Sequence, residues 1–250
     1  RLLAEIAQVL GNKEDAAKYR EIAGLTRTAW QKAFVRKGGK RISRDRQDDY
    51  VRALAFGLLP PHHNQAAFNR LVELIEKADN HLQTGFLSTP LLLGVLVDGG
   101  RADKAYQLLM QTSSPSWLGQ VELGATTTWE TWEGYKKNGE AHESHNHYAF
   151  GSVVQFLHER IAGLQPLEPG YRKVRIAPIV GGGLTNASLS LRTSRGLVET
   201  SWELIENVVS ITANIPRGCS AILEFDGRVE ELPSGQHVRT FPFLKPEESA

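Results

Sequence analysis

The hydrophobic period of this 250-residue chain changes once, and that change limits its fold more than any other feature. Before Pro166-Leu167-Glu168-Pro169-Gly170 the apolar residues recur at helical spacing; after it they alternate or cluster in short runs bounded by Gly, Asn and Asp. A helical pattern cannot sit in a strand, so the chain must join a helical layer to a β-layer. Upstream, helices are expected over 2–10, 14–34, 49–58, 64–78, 91–97, 102–110 and 146–161. Leu3, Ile6, Ala7 and Leu10 form one stripe, and Tyr19, Ile22, Ala23, Thr26, Ala29, Trp30 and Ala33 form another. Short connections imply antiparallel hairpins, and several in a row suggest a solenoid or a closed toroid. Downstream, strands are expected over 174–177, 187–191, 198–204, 208–215 and 221–225, enough for a small sandwich.

Charge and composition remove several functions. Twenty-nine Lys and Arg against 28 Asp and Glu leave a net charge of +1, without the clustered basic face of a nucleic-acid binder. No apolar stretch approaches the roughly 18 residues of a membrane span. The single cysteine, Cys219, excludes an internal disulfide and does not fix the compartment. The first residues, Arg1-Leu2-Leu3-Ala4-Glu5-Ile6, read as a helix already under way, so the chain is expected to be a piece of a longer polypeptide.

Three stretches could carry chemistry. In Thr126-Thr127-Thr128-Trp129-Glu130-Thr131-Trp132-Glu133-Gly134, two indoles alternate with two carboxylates. Flat rings can stack on the C–H face of a sugar, and a carboxylate can act as base or nucleophile at an anomeric carbon. Equally, the tryptophans could be core and the glutamates solvated. The second stretch, His142-Glu143-Ser144-His145-Asn146-His147-Tyr148, could form a polar pocket rim or a helix start capped by Ser144 or Asn146. A metal site on His142, His145 and His147 fits no zinc spacing, and no metal or cofactor is expected. The third, His81 through Pro90, reads as a loop feeding a helix with Pro in its first turn. Asp45 to Tyr50 reads as a charge cluster at a helix N-terminus.

Together these stretches resemble a known family. Ala125 through Gly134 is similar to the A-T-T-x-W-E-x-W-[DE]-G signature of bacterial α-L-rhamnosidases, glycoside hydrolase family 78. Ser144 through Val153 resembles that family's S-F-N-H-Y-A-[FY]-G-S-V. The passages Gly163 to Tyr171, Ile176 to Thr185, Thr84-Gly85-Phe86 to Leu91, and Ala53 to Pro60 resemble further segments, in the same order along the chain. The resemblance implies part of an (α/α)6 toroid over 1–163, the second half of the catalytic domain, and an antiparallel β-sandwich over 164–250. It implies inverting hydrolysis of terminal α-L-rhamnose, with Glu130 as general base and His147 binding the sugar. Trp129, Trp132, Glu133, His145, Thr84 and Phe86 would line the pocket.

Two departures qualify the resemblance. His145 stands where the family has an apolar aromatic, and the acid-bearing R-D-E-R-x-G-W stretch is absent. Glu133 is a poor substitute acid, because the leaving oxygen lies on the other side of the sugar. The resemblance therefore implies that the general acid and the first half of the barrel come from outside this chain, and that the fragment is inactive alone. The competing reading is a non-catalytic carbohydrate-binding or truncated module.

Overall fold

The computed structural model describes residues 1–243. Two compact units, 1–95 and 96–250, divide the chain. In the first, helices α1 (Leu2–Val9) and α2 (Lys13–Phe34) form a hairpin around the turn at Gly11, whose φ of 80° suits glycine. A two-residue ladder, β1 (Val35–Arg36) with β2 (Arg41–Ile42), leads to a second hairpin of α3 (Gln47–Ala55) and α4 (Asn64–Lys77). Helix α5 (Thr89–Asp98) spans the division between the units.

The α3–α4 hairpin has an ordinary core. Tyr50, Val51, Ala53, Ala67, Leu71 and Ile75 are buried at helical spacing. The α1–α2 hairpin does not. Its contact is made by the small residues Ala4, Ala7 and Ala16, whereas Leu3, Ile6 and Leu10 are 58%, 54% and 68% exposed. Ala7 thus parts company with the other three residues of the expected stripe. Methyl side chains let two helices approach closely, and the larger residues point away from that contact. Along α2 the expected stripe is likewise left open: Ala16 is the buried residue, and Ile22 stays half exposed.

The second unit holds α6 (Ala102–Leu109), α7 (Trp117–Glu122), α8 (Tyr148–Gly151) and α9 (Val153–Phe156), followed by a π-helical turn over Leu157–Ile161. The final helix is therefore broken at Ser152, and α7 is a helix that the sequence pattern did not reveal. Eight strands follow: β3 (Leu164–Pro166), β4 (Lys173–Ile176), β5 (Asn186–Thr193), β6 (Gly196–Ile205), β7 (Val208–Ile215), β8 (Ser220–Phe225), β9 (Arg228–Leu232) and β10 (Gly235–Pro242). They form two four-stranded sheets, ordered β10-β7-β6-β5 and β3-β4-β8-β9.

All pairs in the first sheet are antiparallel, but β4 and β8 run parallel, with Val174 opposite Ala221. The sandwich is antiparallel apart from this one pair; β5, β6 and β7 lie between β4 and β8 in the chain, so no tight turn dictates their direction. Along β7, Val209, Ile211, Ala213 and Ile215 point inward on alternate positions. They join Trp202, Val174, Ile176, Leu223 and Leu232 in one core. The indole N–H of Trp202 donates to the Ile161 carbonyl at 2.7 Å, which ties the sandwich to the π-helical turn. Among the described residues no helix is long and apolar enough to cross a membrane.

Candidate active site

The conspicuous Trp/Glu loop is mounted on α7 and α8. Ser116 caps α7, its Oγ accepting from the Gly119 N–H at 2.9 Å, and the cap is fully buried. Gly119 is required there, because a Cβ would lie 2.7 Å from that oxygen. Trp117 donates its indole N–H to the Phe150 carbonyl at 2.9 Å and meets Trp132 edge-on at 5.5 Å. Trp132 in turn stacks on Phe150, with ring centres 3.9 Å apart. Both geometries are favoured aromatic arrangements. Three rings thus weld α7, α8 and the loop into one block.

Residues 127–131 lie alongside 142–147. The Glu130 N–H donates to the Ser144 carbonyl at 2.9 Å, and the Ser144 N–H returns a bond to Glu130 Oε2 at 3.1 Å. The His147 N–H donates to the Thr128 carbonyl at 2.8 Å, and the Thr127 hydroxyl donates to the His145 carbonyl. Glu130 is held by main chain and side chain together, yet its side chain keeps 26% of its surface. A carboxylate that is both fixed and accessible can accept a proton from bound water.

His147 faces it, with Nε2 4.0 Å from Glu130 Oε1. His147, rather than Ser144 or Asn146, caps α8: its Nδ1 lies 3.1 Å from the Ala149 nitrogen. A backbone N–H can only donate, so Nδ1 is the acceptor and the neutral ring carries its proton on Nε2. The proton-bearing Nε2 is therefore the ring nitrogen that lies 4.0 Å from the carboxylate.

The other expected site residues divide into groups. Trp129 is 3% exposed and Trp132 9%; both are packed on protein rings. Trp129 stacks on His145 at 4.6 Å, and Tyr135 closes on both rings edge-on. His145 thus fills an aromatic position with an imidazole whose Nε2 also reaches the Gly134 carbonyl. Gly134, at φ 65°, touches Trp129 so closely that a Cβ would lie 1.9 Å from the indole. Glu133 is exposed. Thr84 and Phe86 belong to the unit 1–95, on the loop leading into α5. Thr84 is buried, sharing a 2.8 Å hydrogen bond with the Thr89 hydroxyl, and Phe86 is exposed.

One buried polar residue escaped the sequence reading. Gln120 on α7 accepts from the Trp129 N–H at 3.2 Å, and its amide reaches the Thr131 carbonyl at 3.1 Å. Its only sequence signal is position: a polar residue three places after Trp117, on the buried side of a short helix. Among the described residues no three His, Cys, Asp or Glu side chains converge as metal ligands.

A cavity of about 710 Å³ opens elsewhere in the second unit, lined by Arg160, Arg175, Glu224 and Phe225 among others. Two of its acids are paired, Asp98 with Arg160 at 2.8 Å and Glu224 with Arg175 at 2.5 Å. The Arg175 hydrogen bond holds the Glu224 carboxyl below its usual range.

A model of the bacterial alpha-L-rhamnosidase 6 hairpin glycosidase domain matches residues 1–161, and one of the bacterial alpha-L-rhamnosidase C-terminal domain matches 163–239. An alpha-L-rhamnosidase of Formosa agariphila is 40% identical over 228 residues, covering 90% of this chain and 25% of that protein. One of Streptomyces avermitilis is 41% identical over 224 residues, covering 88% and 22%. The crystal structure of the Streptomyces avermitilis alpha-L-rhamnosidase complexed with L-rhamnose superposes with a TM-score of 0.89 at 37% identity, over 95% of this chain and 25% of that one. That of Aspergillus terreus gives 0.89 at 35%, over 95% and 28%. The chain thus spans about a quarter of the length of these relatives.

Proposed function

The chain belongs to the bacterial α-L-rhamnosidase six-hairpin glycosidase family, and on that premise we propose that it carries the general-base half of a site that hydrolyses terminal α-L-rhamnose with inversion. What carries the reading is the Glu130 carboxylate, fixed by the Ser144 N–H yet open, with the His147 N–H donor 4.0 Å away. As base, Glu130 takes a proton from water while the water oxygen bonds to the anomeric carbon. The bond to the leaving oxygen breaks on the opposite face, where an acid returns a proton. In an inverting enzyme the two carboxyl groups stand roughly 6.5–9.5 Å apart, leaving room for that water.

His147 binds a sugar hydroxyl through Nε2. Trp129 and Trp132 act mainly as the apolar frame that fixes Glu130, since burial leaves them little surface for a ligand. His145 supports Trp129. Glu133 is proposed as an outer contact of the sugar or its aglycone, whereas Thr84 and Phe86 lie on a loop of the other unit, Thr84 buried against Thr89. Residues 1–163 serve as the second half of the toroid and 164–250 as the sandwich, residues 244–250 lying outside the described residues. The first half, with the general acid, is supplied by sequence beyond this chain, in keeping with its coverage of a quarter of its relatives.

Proton NMR of the first-formed sugar tests the reaction, using the chain completed by the remaining barrel helices and 4-nitrophenyl α-L-rhamnoside. The β-anomer appears first if the reading holds; α-L-rhamnose as first product contradicts it. A non-catalytic carbohydrate-binding module is the competing reading. It predicts rhamnose affinity by calorimetry with no turnover by the completed protein.

A further inference from the structure

We infer that Gln120 is a positioning residue for Glu130, its buried amide clamping the main chain on both sides of the proposed base. The inference rests on the base role given to Glu130 above. Gln120 is 3% exposed. Its Oε1 accepts from the Trp129 N–H at 3.2 Å; its Nε2 donates to the Thr131 carbonyl at 3.1 Å and lies 3.5 Å from the Trp129 carbonyl. Residues 129 and 131 flank Glu130, so one side chain grips the main chain one residue before it and one residue after it.

The anchor is itself rigid. The buried Ser116 cap starts α7, and the Trp117 indole locks that helix to the Phe150 carbonyl. A swing of the loop would leave the Gln120 amide, the Trp129 N–H and the Thr131 carbonyl without partners in a buried site, a cost borne by each group. Ser144 grips Glu130 from the facing segment, and Gln120 grips the residues on either side of it. The carboxylate is thereby held in one place before substrate arrives, as a base aimed at a single water must be.

The test compares Gln120→Met, which keeps the length and removes both polar atoms, with Gln120→Glu, which keeps the acceptor for Trp129. Turnover of 4-nitrophenyl α-L-rhamnoside is measured in the chain completed by the remaining barrel helices, in wild-type and Glu130→Gln backgrounds. Gln120→Met is expected to lower kcat about tenfold to a hundredfold with KM within about twofold, and Gln120→Glu to lower it less. In the Glu130→Gln background Gln120→Met should cost less than about twofold more, because residues acting through one group are not additive.

An unchanged kcat, or the same loss in both backgrounds, overturns the positioning role. Should Gln120→Met fail to fold, Gln120→Glu carries the same comparison. Hydrogen exchange of the Trp129 amide in the chain alone reads the clamp without activity: it should quicken in Gln120→Met, and an unaltered rate contradicts the clamp. If Glu130→Gln itself turns over like wild type, the base assignment falls and the positioning role with it, while the exchange measurement still reports whether the clamp exists.

Discussion

Single residues set the site by what they leave no room for. Gly134 sits at φ 65° against the Trp129 indole, so Gly134→Ala must move the ring or the turn. The variant is expected to lose about 3 kcal/mol or more of stability, the scale of overpacking combined with left-handed strain; chemical denaturation with unchanged stability would contradict that packing. His147 offers a second residue-scale prediction. Nδ1 accepts the Ala149 N–H, so long-range proton–nitrogen NMR of the neutral ring should show the proton on Nε2. The opposite tautomer would contradict the cap. Glu130 stands out in the sequence by its indole neighbours and by the family motif, which implies the role proposed for it. The cap by His147 was not, because several polar residues in a row could each cap α8 and only the backbone path chooses among them.

At the scale of elements, the α3–α4 hairpin depends on a half-buried polar hub. Arg70 holds Asp45 by two bonds, at 3.1 Å and 2.6 Å, and the Tyr50 hydroxyl donates to the same carboxylate. The Arg70 bond, with that from Tyr50, keeps the Asp45 carboxyl below its ordinary 3.8, while burial and the nearby carboxylate push Tyr50 up to about 12. A carboxyl lowered on folding adds stability that is complete above its unfolded value and is lost as pH falls through the folded one. Asp45→Asn should therefore cost about 2 kcal/mol at neutral pH, with the difference from wild type shrinking below about pH 3.8. A constant difference down to pH 2 would contradict the ion pair.

The sequence reading took Asp45 to Tyr50 for a dipole-complementing charge cluster. Arg70, a helix away, supplies the missing partner, and local spacing carries no sign of it. Most helices and five strands were legible from period. The short α7, with too few turns to show a period, was not, nor were β3, of three residues, β9, exposed over most of its length, and β10, whose inward positions include the polar His237 and Arg239.

At the scale of the whole molecule, the first hairpin presents an apolar face without a partner among the described residues. Leu2, Leu3, Ile6, Val9, Leu10 and Leu25 are each more than half exposed. Such a surface promotes association in water. The chain alone is expected to self-associate in sedimentation experiments, and Leu3→Lys with Ile6→Lys to reduce it; a monomeric wild-type chain would contradict this. In the proposed function the same face seats the completing helices, which accounts for why an amphipathic stripe was readable from period while its partner was not.

Glu130 as proton acceptor is the centre of the proposed function. Its most direct measurement is kcat of Glu130→Gln on 4-nitrophenyl α-L-rhamnoside in the chain completed by the rest of the barrel, against the unchanged sequence. The amide cannot take a proton from water, so a loss of about 10²–10⁴-fold is predicted with the protein still folded. Turnover within a few-fold of the parent would contradict the base role and the function built on it.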